Sequence, residues 1–531
     1  MFISIYINYA DLGSSNELPK FNIQTFNDYY ELGSIQSGFF LKLKKRDNYP
    51  STYCYQIDES NIVFGYGKLN PHEGDEFLQA AISKKGSLLI QRDIFATMPL
   101  FFIKTVDLFL ASNNYGFVAN HLNHSSINQV NLLETLIPNP DRHQTLISGI
   151  QILDERHILE INNQQLRTIK PNPRTWGTSK QAGATNPRIF SSQLCEVLDK
   201  FIESRLSKEE FAFEVSGGID SATLPLYFAK KRYKDQCLLG SMIFPGSFEA
   251  TQIEKLRQLS SQISSELIAI RISEETDYPL ARFIKTGHKR QTPFYSFEEI
   301  YSEALLKLAK SLQAKNIKVL ATGIGGDELF ENIVSTQHEL QFGAKEKQRR
   351  RKMSYPPFLT EKYIEEYVSS TPSLEPYPLS LLAVSVYGAQ LARNNIYIEH
   401  DIWPVSPFTD TELYNYCQGL PAHFRANKNI LRAFHQANDF PESIYNPQQN
   451  EHFGMFFEQA IKSEKYARAI NYFVKHSALS QMGYVDTNKL LEFYNNYRFN
   501  RAGVSKWLLN VFAWLSLEIN IKASKALLSG G

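Results

Sequence analysis

The sequence Phe211-Ala-Phe-Glu-Val-Ser-Gly-Gly-Ile-Asp-Ser-Ala222 joins an apolar strand to a glycine turn and the start of a helix. Two adjacent glycines allow a tight turn whose backbone N–H groups point inward, and the following helix adds the positive end of its dipole. Phosphate oxygens bind to such a turn without the help of long side chains. The stretch therefore predicts a nucleotide-phosphate site, and an ordinary tight strand-to-helix turn is the alternative interpretation.

Five residues of this turn are candidate nucleotide ligands: Ser216, Gly217, Gly218, Asp220 and Ser221. The two serines add hydroxyl groups, and the carboxylate of Asp220 is a candidate ligand for Mg²⁺. The turn resembles the pyrophosphate loop of the ATP pyrophosphatases, a group that includes asparagine synthetase. The resemblance implies that the chain uses ATP, cleaves it between the α and β phosphates and releases pyrophosphate.

The composition is that of a globular protein without a dominant charge. Of the 531 residues, 43% are hydrophobic, and 56 Lys and Arg against 55 Asp and Glu give a net charge of +1, so we expect no nucleic acid partner. The four cysteines lie far apart and match no zinc or redox spacing: Cys54, Cys195, Cys237 and Cys417. The start lacks the pattern of a secretory signal, and no apolar run reaches the roughly 18 residues of a membrane span. We expect a cytoplasmic protein with no membrane partner.

The pattern of apolar residues changes along the chain. Residues 1–170 contain short alternating segments that predict a mainly antiparallel β domain. Residues 171–188 are rich in Pro, Gly and polar side chains and predict a linker. In residues 189–531 strands alternate with helices, which predicts a parallel sheet with helices on both faces, ligands at the carboxyl ends of its strands and further helices at the C-terminal end. The expected fold class is α/β.

The first domain resembles the glutaminase domain of asparagine synthetases in two segments, Arg92–Phe102 and Ser148–His157. That glutaminase uses an N-terminal cysteine, whose thiol attacks the amide while its own amine acts as base. Phe2 stands at this place here. Cys54 is an alternative nucleophile, although a lone cysteine in a β-rich stretch is more typical of a core. We expect a degenerate glutaminase-like domain that makes no ammonia.

A second glycine turn, Gly323-Ile-Gly-Gly-Asp-Glu328, follows another apolar strand. Because the ends of parallel strands meet at one edge, Asp327 and Asp220 are expected to hold Mg²⁺ against the phosphates. An acidic helix N-cap is the alternative interpretation. The stretch resembles the Gly-Glu-Gly-Ser-Asp-Glu segment of asparagine synthetases. This resemblance implies that Gly323 and Gly325 bind the nucleotide and that Asp327 and Glu328 are catalytic.

One position in this second turn departs from the family pattern. Asparagine synthetases carry Glu between the first two glycines and β-lactam synthetases carry Tyr, whereas this chain has Ile324. An aliphatic side chain neither takes a proton nor orients an amine. The base or stabiliser of those enzymes is therefore missing or moved.

Two later segments, Pro404–Asp410 and Leu420–Arg432, are similar to ordered elements of the same family. The similarity implies that Lys428 neutralises the acyl-adenylate and pyrophosphate in the transition state, with Arg432 as an outer partner. Preorganised positive charge at such a centre is commonly worth about 3 kcal/mol or more. A basic run at 345–352 is either a solvated surface or a mobile loop that receives an acidic peptide segment or pyrophosphate.

These features together favour ATP-dependent amide formation with an amine that is not ammonia. Families with this architecture include the β-lactam and carbapenam synthetases and the lasso peptide cyclases. We favour a lasso peptide cyclase: an Asp or Glu side chain of a precursor peptide is adenylated, and the N-terminal amine of the same peptide closes a macrolactam. The expected partners are a leader-processed precursor peptide and a leader peptidase or leader-recognition protein.

Four other functions remain open on the sequence. An asparagine synthetase would use free ammonia, and a β-lactam-type cyclase would act on a small molecule. A non-catalytic scaffold would bind ATP without releasing pyrophosphate. A sulfur-inserting tRNA enzyme would require a cysteine near the first turn, for which Cys237 is the candidate.

Overall fold

The structure of this chain is a computed structural model. Phe2 and residues 170–186, which are most of the expected linker, lie outside the residues that it describes. The described residues are 3–8, 24–25, 28–34, 39–45, 51–58, 61–66, 78–83, 87–93, 97–122, 126–137, 145–154, 157–162, 165–169, 187–206, 210–231, 237–285, 300–330, 344–370, 384–410, 413, 417, 420, 422–447, 454–499 and 507–528.

Two antiparallel sheets form the first part of the molecule. In chain order their strands are β1 (Ile3–Asn8), β2 (Gln24–Thr25), β3 (Tyr29–Ser34), β4 (Phe39–Lys44), β5 (Thr52–Asp58), β6 (Asn61–Tyr66), β7 (Leu78–Ser83), β8 (Leu88–Arg92), β9 (Phe101–Lys104), β10 (Leu108–Ser112), β11 (Gln151–Ile152), β12 (Ile158–Asn162) and β13 (Gln165–Ile169). The sheet orders are β11-β9-β10-β1-β4-β3-β2 and β13-β12-β8-β7-β6-β5. Alternate residues of β4 and β7 are buried, as in strands with one face on a core. The expected mainly antiparallel β structure of this part is confirmed.

A parallel sheet follows, made of β14 (Phe211–Glu214), β15 (Cys237–Ile243), β16 (Glu266–Arg271), β17 (Val319–Ala321) and β18 (Trp403–Val405). Its order is β16-β15-β14-β17-β18, and every neighbouring pair is parallel. After β16 the chain returns to the other side of β14, so the strand order reverses between β14 and β17. Such a switch point leaves a crevice for ligands at the carboxyl ends of the two strands. Both glycine turns begin there, and the α/β fold class is confirmed.

The described α-helices flank the sheets and build a C-terminal layer. They are α1 (Tyr115–Ala119), α2 (Gln129–Leu136), α3 (Pro187–Phe201), α4 (Ile219–Lys230), α5 (Glu249–Ile263), α6 (Ala281–Lys285), α7 (Ser302–Ala314), α8 (Gly326–Phe330), α9 (Ala344–Lys352), α10 (Glu361–Ser369), α11 (Val384–Glu399), α12 (Ala422–Arg425), α13 (Asn429–Ala437), α14 (Glu442–Tyr445), α15 (Gly454–Lys462), α16 (Glu464–Lys475), α17 (Ala478–Gln481), α18 (Thr487–Phe499) and α19 (Leu508–Leu528). The basic run at 345–352, expected to be a loop, is part of α9, so that expectation is wrong.

Helix α2 comes from the first 170 residues but packs among the C-terminal helices. Its apolar side chains share a buried cluster with residues of α10 and α19. The hydroxyl of Tyr363 donates to the carbonyl of Leu133 at 2.6 Å, and the Asn510 amide donates to the carbonyl of Leu136 at 2.9 Å. The first 170 residues and the C-terminal helices therefore share one core.

Candidate active site

Lys428 lies between the two carboxylates that the sequence predicts as metal ligands. Its Nζ donates hydrogen bonds to Oδ2 of Asp220 and Oδ1 of Asp327. The side chains of Lys428 and Asp220 are 14% and 16% exposed, whereas that of Asp327 is 63% exposed, so the cluster opens to solvent at Asp327. Burial disfavours the ammonium, but the charges and hydrogen bonds of both carboxylates outweigh burial and raise the pKa of Lys428. Lys428 is therefore a fixed positive charge.

Glycines allow the two turns to approach each other. A Cβ on Gly326 would lie 2.7 Å from Cβ and Cγ of Asp220, closer than real side chains pack. A Cβ on Gly323 would lie 3.1 Å from the backbone of Ser221. Glu328 is half-buried on α8, directly after Asp327. The second turn can therefore lie directly against the first turn, because Gly323 and Gly326 bring no side chain into the contact.

The first turn is held in shape by its own serines. Ser221 Oγ accepts from the backbone N–H of Ser216 at 3.1 Å, lies 3.1 Å from Ser216 Oγ and donates to the carbonyl of Gly218 at 3.2 Å. The backbone of Gly217 is left-handed, with φ of 99°, and Gly218 precedes α4 without a side-chain cap. The hydroxyls expected to bind phosphate therefore shape the turn, and the N–H groups at the start of α4 remain for phosphate.

Lys428 reaches the carboxylates from an unusual backbone conformation. Asn427 and Lys428 are both left-handed, with φ of 55° and 58°, a conformation that non-glycine residues adopt rarely and that is common at functional sites. Arg432 donates from Nε to the carbonyl of Asn427 at 2.9 Å and from Nη1 to that of Tyr445. No hydrogen bond joins Arg432 to Asp220, so Arg432 supports the backbone that presents Lys428.

A buried histidine ties the helix that follows Lys428 to the helix of the first turn. His435 Nε2 lies 2.8 Å from Thr223 Oγ1, which itself donates to the carbonyl of Ile219 at 2.8 Å. The hydroxyl must therefore accept from Nε2–H. Burial, with a smaller effect of the Arg432 charge, lowers the pKa of His435 to about 3, so His435 is neutral. This contact holds α13 against α4.

Two further side chains support the first turn from behind. Gln252 on α5 donates to the carbonyl of Ser216 at 3.1 Å and to that of Met242 at 3.0 Å. Glu214, at the end of β14, accepts from Arg393 at 2.5 Å and from the Tyr397 hydroxyl at 3.0 Å. The sequence predicts none of these roles, nor that of His435, because the partners of these residues lie far away in the chain and no local motif marks them.

Comparison with protein families places this site in a known family. The family model described as asparagine synthase matches residues 193–519, which include both turns and Lys428. The chain belongs to the asparagine synthase family. As a member, it is an ATP-dependent ligase that forms carbon–nitrogen bonds, and the expected superfamily and enzyme class are confirmed. A search of curated protein sequences finds no match.

Solved structures similar to this family member were also found. The NMN synthetase of Francisella tularensis is 14% identical, with a TM-score of 0.25, covering 60% of this chain and 99% of that chain. The NH3-dependent NAD synthetase of Campylobacter jejuni is 15% identical, with a TM-score of 0.20, covering 41% and 96%. The U34-tRNA thiolase NcsA of Methanococcus maripaludis is 12% identical, with a TM-score of 0.22, covering 51% and 88%.

Cys237 does not belong to the site of this asparagine synthase family member. It begins β15 and pairs with Phe211, the first residue of β14, so it lies at the end of the sheet opposite the turns. Burial raises the pKa of its thiol, and Sγ lies 2.8 Å from Ser265 Oγ. A protonated, buried thiol is a poor nucleophile, which disfavours the sulfur-inserting alternative.

Among the described residues, no helix is both long and apolar enough to cross a membrane.

Proposed function

We propose that this protein closes a macrolactam in a precursor peptide, as a lasso peptide cyclase. A carboxylate oxygen of an Asp or Glu side chain attacks the α-phosphorus of ATP, the bond to the β-phosphate breaks, and pyrophosphate leaves. The N-terminal amine of the same peptide then attacks the acyl carbon, loses a proton and displaces AMP. The two alternatives within this family are an ammonia-using asparagine synthetase and a β-lactam-type cyclase of a small molecule.

The observation that carries the adenylation step is Lys428 between Asp220 and Asp327 at the switch point of the sheet. Two carboxylates that converge on one ammonium also suit Mg²⁺, which needs only one or two carboxylates beside phosphate oxygens and water. We propose that Asp220 and Asp327 hold Mg²⁺, which neutralises phosphate charge when bound. Lys428 then stabilises the negative charge that develops on pyrophosphate.

The side chain of Ile324 supports a substrate that carries its own amine. Ile324 lies at this turn and has no group that could take a proton or orient free ammonia. A peptide that is folded with its amine against the activated carboxylate replaces such a group by proximity, since well-oriented intramolecular reactions reach effective molarities of about 10⁵–10⁸ M. The site would then act by positioning the peptide.

Helix α9 supports an acidic peptide as the substrate. Arg350 is buried, pairs with Glu134 on α2 at 2.5 Å and donates to the carbonyl of Tyr367 at 2.9 Å, which fixes the helix. Three exposed cations of the same helix form no ion pair with any described residue: Lys347, Arg351 and Lys352. Positive charge that no described residue pairs attracts an acidic segment. We propose that part of the precursor peptide binds there.

We propose a cytoplasmic location and two kinds of partner for this enzyme. Three thiols are free in the described structure, those of Cys195, Cys237 and Cys417, and reduced thiols are typical of the cytosol. The precursor must present a free N-terminal amine before it can cyclise. A leader peptidase, or a protein that recognises the leader, would supply it in that form.

The test measures pyrophosphate release and peptide mass in the same reactions, with ATP, Mg²⁺ and candidate precursor peptides that contain Asp or Glu. We expect release that depends on the peptide and is accompanied by loss of one water from it. Asp327→Ala should abolish both. The matched control is Asp107→Ala, an exposed carboxylate in the loop between β9 and β10, which should leave both unchanged.

Each alternative has its own outcome in this experiment. Pyrophosphate release with aspartate and ammonia alone would replace the proposal by an asparagine synthetase, and turnover of a small molecule without peptide would replace it by a β-lactam-type cyclase. Binding of ATP without release under any condition would leave a scaffold.

The double change Arg351→Glu and Lys352→Glu should raise KM for an acidic peptide without changing KM for ATP, whereas an unchanged KM for the peptide would remove α9 from the proposal.

A further inference from the structure

A small buried cavity lies directly behind the second turn. It measures about 10 Å³, and Thr97, Thr322, Ile324, Gln390, Asn394 and Ser406 are among the residues that line it. All of these except Ile324 are at most 8% exposed. The cavity is lined mostly by polar side chains, and its volume is about that needed for one water molecule.

Gln390 on α11 lines this cavity and has a buried polar atom without a partner. The residue is 6% exposed, and its Oε1 is buried and accepts no hydrogen bond in the described structure. Buried acceptors are almost always satisfied by the protein or by an ordered water. Thr322 lines the same cavity, and its hydroxyl forms no hydrogen bond with a described residue. Two residues that line one water-sized space thus carry an acceptor and a donor without a described partner.

The same cavity joins three parts of the molecule. Ser406, after β18, donates from Oγ to the carbonyl of Ile324 at 2.6 Å and so holds the second turn. Asn394 on α11 donates from Nδ2 to the carbonyl of Thr97, in the N-terminal domain, at 3.2 Å. The N-terminal domain therefore supplies one wall of a cavity whose other wall is the turn that leads to Asp327.

We propose that this cavity binds one water molecule, which donates to Gln390 Oε1 and accepts from the Thr322 hydroxyl. Through it, Gln390 is a positioning residue for the turn 323–327. The N-terminal domain then has a task that does not depend on glutaminase chemistry, because it closes the space in which this water is held. The inference goes beyond the macrolactam proposal and does not depend on the identity of the substrate.

The test compares Gln390→Leu with the wild-type chain, both full length. A crystal structure that resolves ordered waters should show one water in the wild-type cavity and none in the variant. Amide hydrogen exchange of residues 323–327 should become about fivefold to tenfold faster, the change expected for the loss of about one hydrogen bond. Exchange of residues 216–221 and the melting temperature should stay unchanged.

Two further variants separate this role from a general loss of packing. Thr322→Val should speed exchange of 323–327 as much as Gln390→Leu, and the double variant should add little, because both side chains act through one water. Gln193→Leu on α3 is the matched control: its Oε1 is likewise buried without a partner, but it does not line the cavity, and it should leave 323–327 unchanged. A wild-type cavity without water, or additive effects of the two variants, would overturn the proposal. None of these measurements requires a substrate, so they fail independently of the proposed function.

Discussion

The two glycine turns of the site are similar in sequence but are held in shape in different ways. The turn after β14 is closed by its own side chains, Ser216 and Ser221, which bond to its backbone. The turn after β17 is held from outside, by Ser406 on the carbonyl of Ile324 and by Lys428 on its acid. The first turn is a local structure, whereas the second depends on elements that come more than 80 residues later, as the separation of 82 between Ser406 and Ile324 shows.

Removing the cation should have the largest effect, because Lys428 is the link between the two turns. Lys428→Met removes the positive charge that is proposed to stabilise the departing pyrophosphate, and we expect the rate of pyrophosphate release to fall about 10²-fold to 10³-fold. Lys428→Arg should rescue little, since a planar guanidinium does not replace a compact ammonium. Steady-state kinetics check this, with Lys489→Met at an exposed ion pair as control.

The raised pKa of Lys428 gives the same prediction a pH dependence. A lysine whose folded pKa lies above the ordinary 10.5 keeps its proton throughout the range from pH 6 to pH 9. The ratio of wild-type to Lys428→Met rates should therefore be constant across that range. A ratio that falls towards pH 9 would mean that Lys428 loses its proton there and is not the fixed charge described above.

Forcing the turns apart should have the next largest effect. Gly326→Ala introduces a Cβ at 2.7 Å from the Asp220 side chain, and a displacement of about 1 Å at a catalytic centre costs about 100-fold in rate. The free energy of unfolding should fall by about 1–3 kcal/mol. Gly388→Ala in α11 is the control, because nothing lies within 4 Å of its added Cβ; it should stabilise the chain by about 0.5–1 kcal/mol. Normal activity of Gly326→Ala would show that the turns are not in tight contact.

The contact between α13 and α4 should appear in the pH dependence of stability. His435 has a folded pKa of about 3 against an ordinary 6.5. At a pH between these two values, the unfolded chain therefore binds a proton that the folded chain does not bind. The free energy of unfolding should therefore fall as the pH is lowered below about 6.5, by about 2 kcal/mol at pH 5 from this residue. Urea unfolding at pH 7.5 and pH 5 should show that His435→Gln lacks this loss. His476→Gln, at an exposed histidine, should behave like the wild type.

The contrast between the turns also explains what the sequence could predict. Phe211 to Ser221 contains its own strand, turn and helix start, so this segment could be interpreted without the rest of the chain. The pairing of Asp220 and Asp327 followed from the rule that parallel strands end at one edge. Gln252 and His435 were missed because a buried glutamine or histidine has no local pattern, and its role depends on distant partners. Ser216 and Ser221 were found, but the bonds within the turn required the structure.

The position of α2 has a consequence for how the chain folds during synthesis. Glu134 pairs with Arg350, 216 residues later, and Leu136 bonds to Asn510, 374 residues later. The apolar face of α2 leaves the ribosome long before the helices that cover it, and contacts of such separation form slowly. The nascent chain must therefore keep this face soluble until Asn510 and the helix around it have been made, which makes α2 a segment where aggregation or chaperone binding should begin.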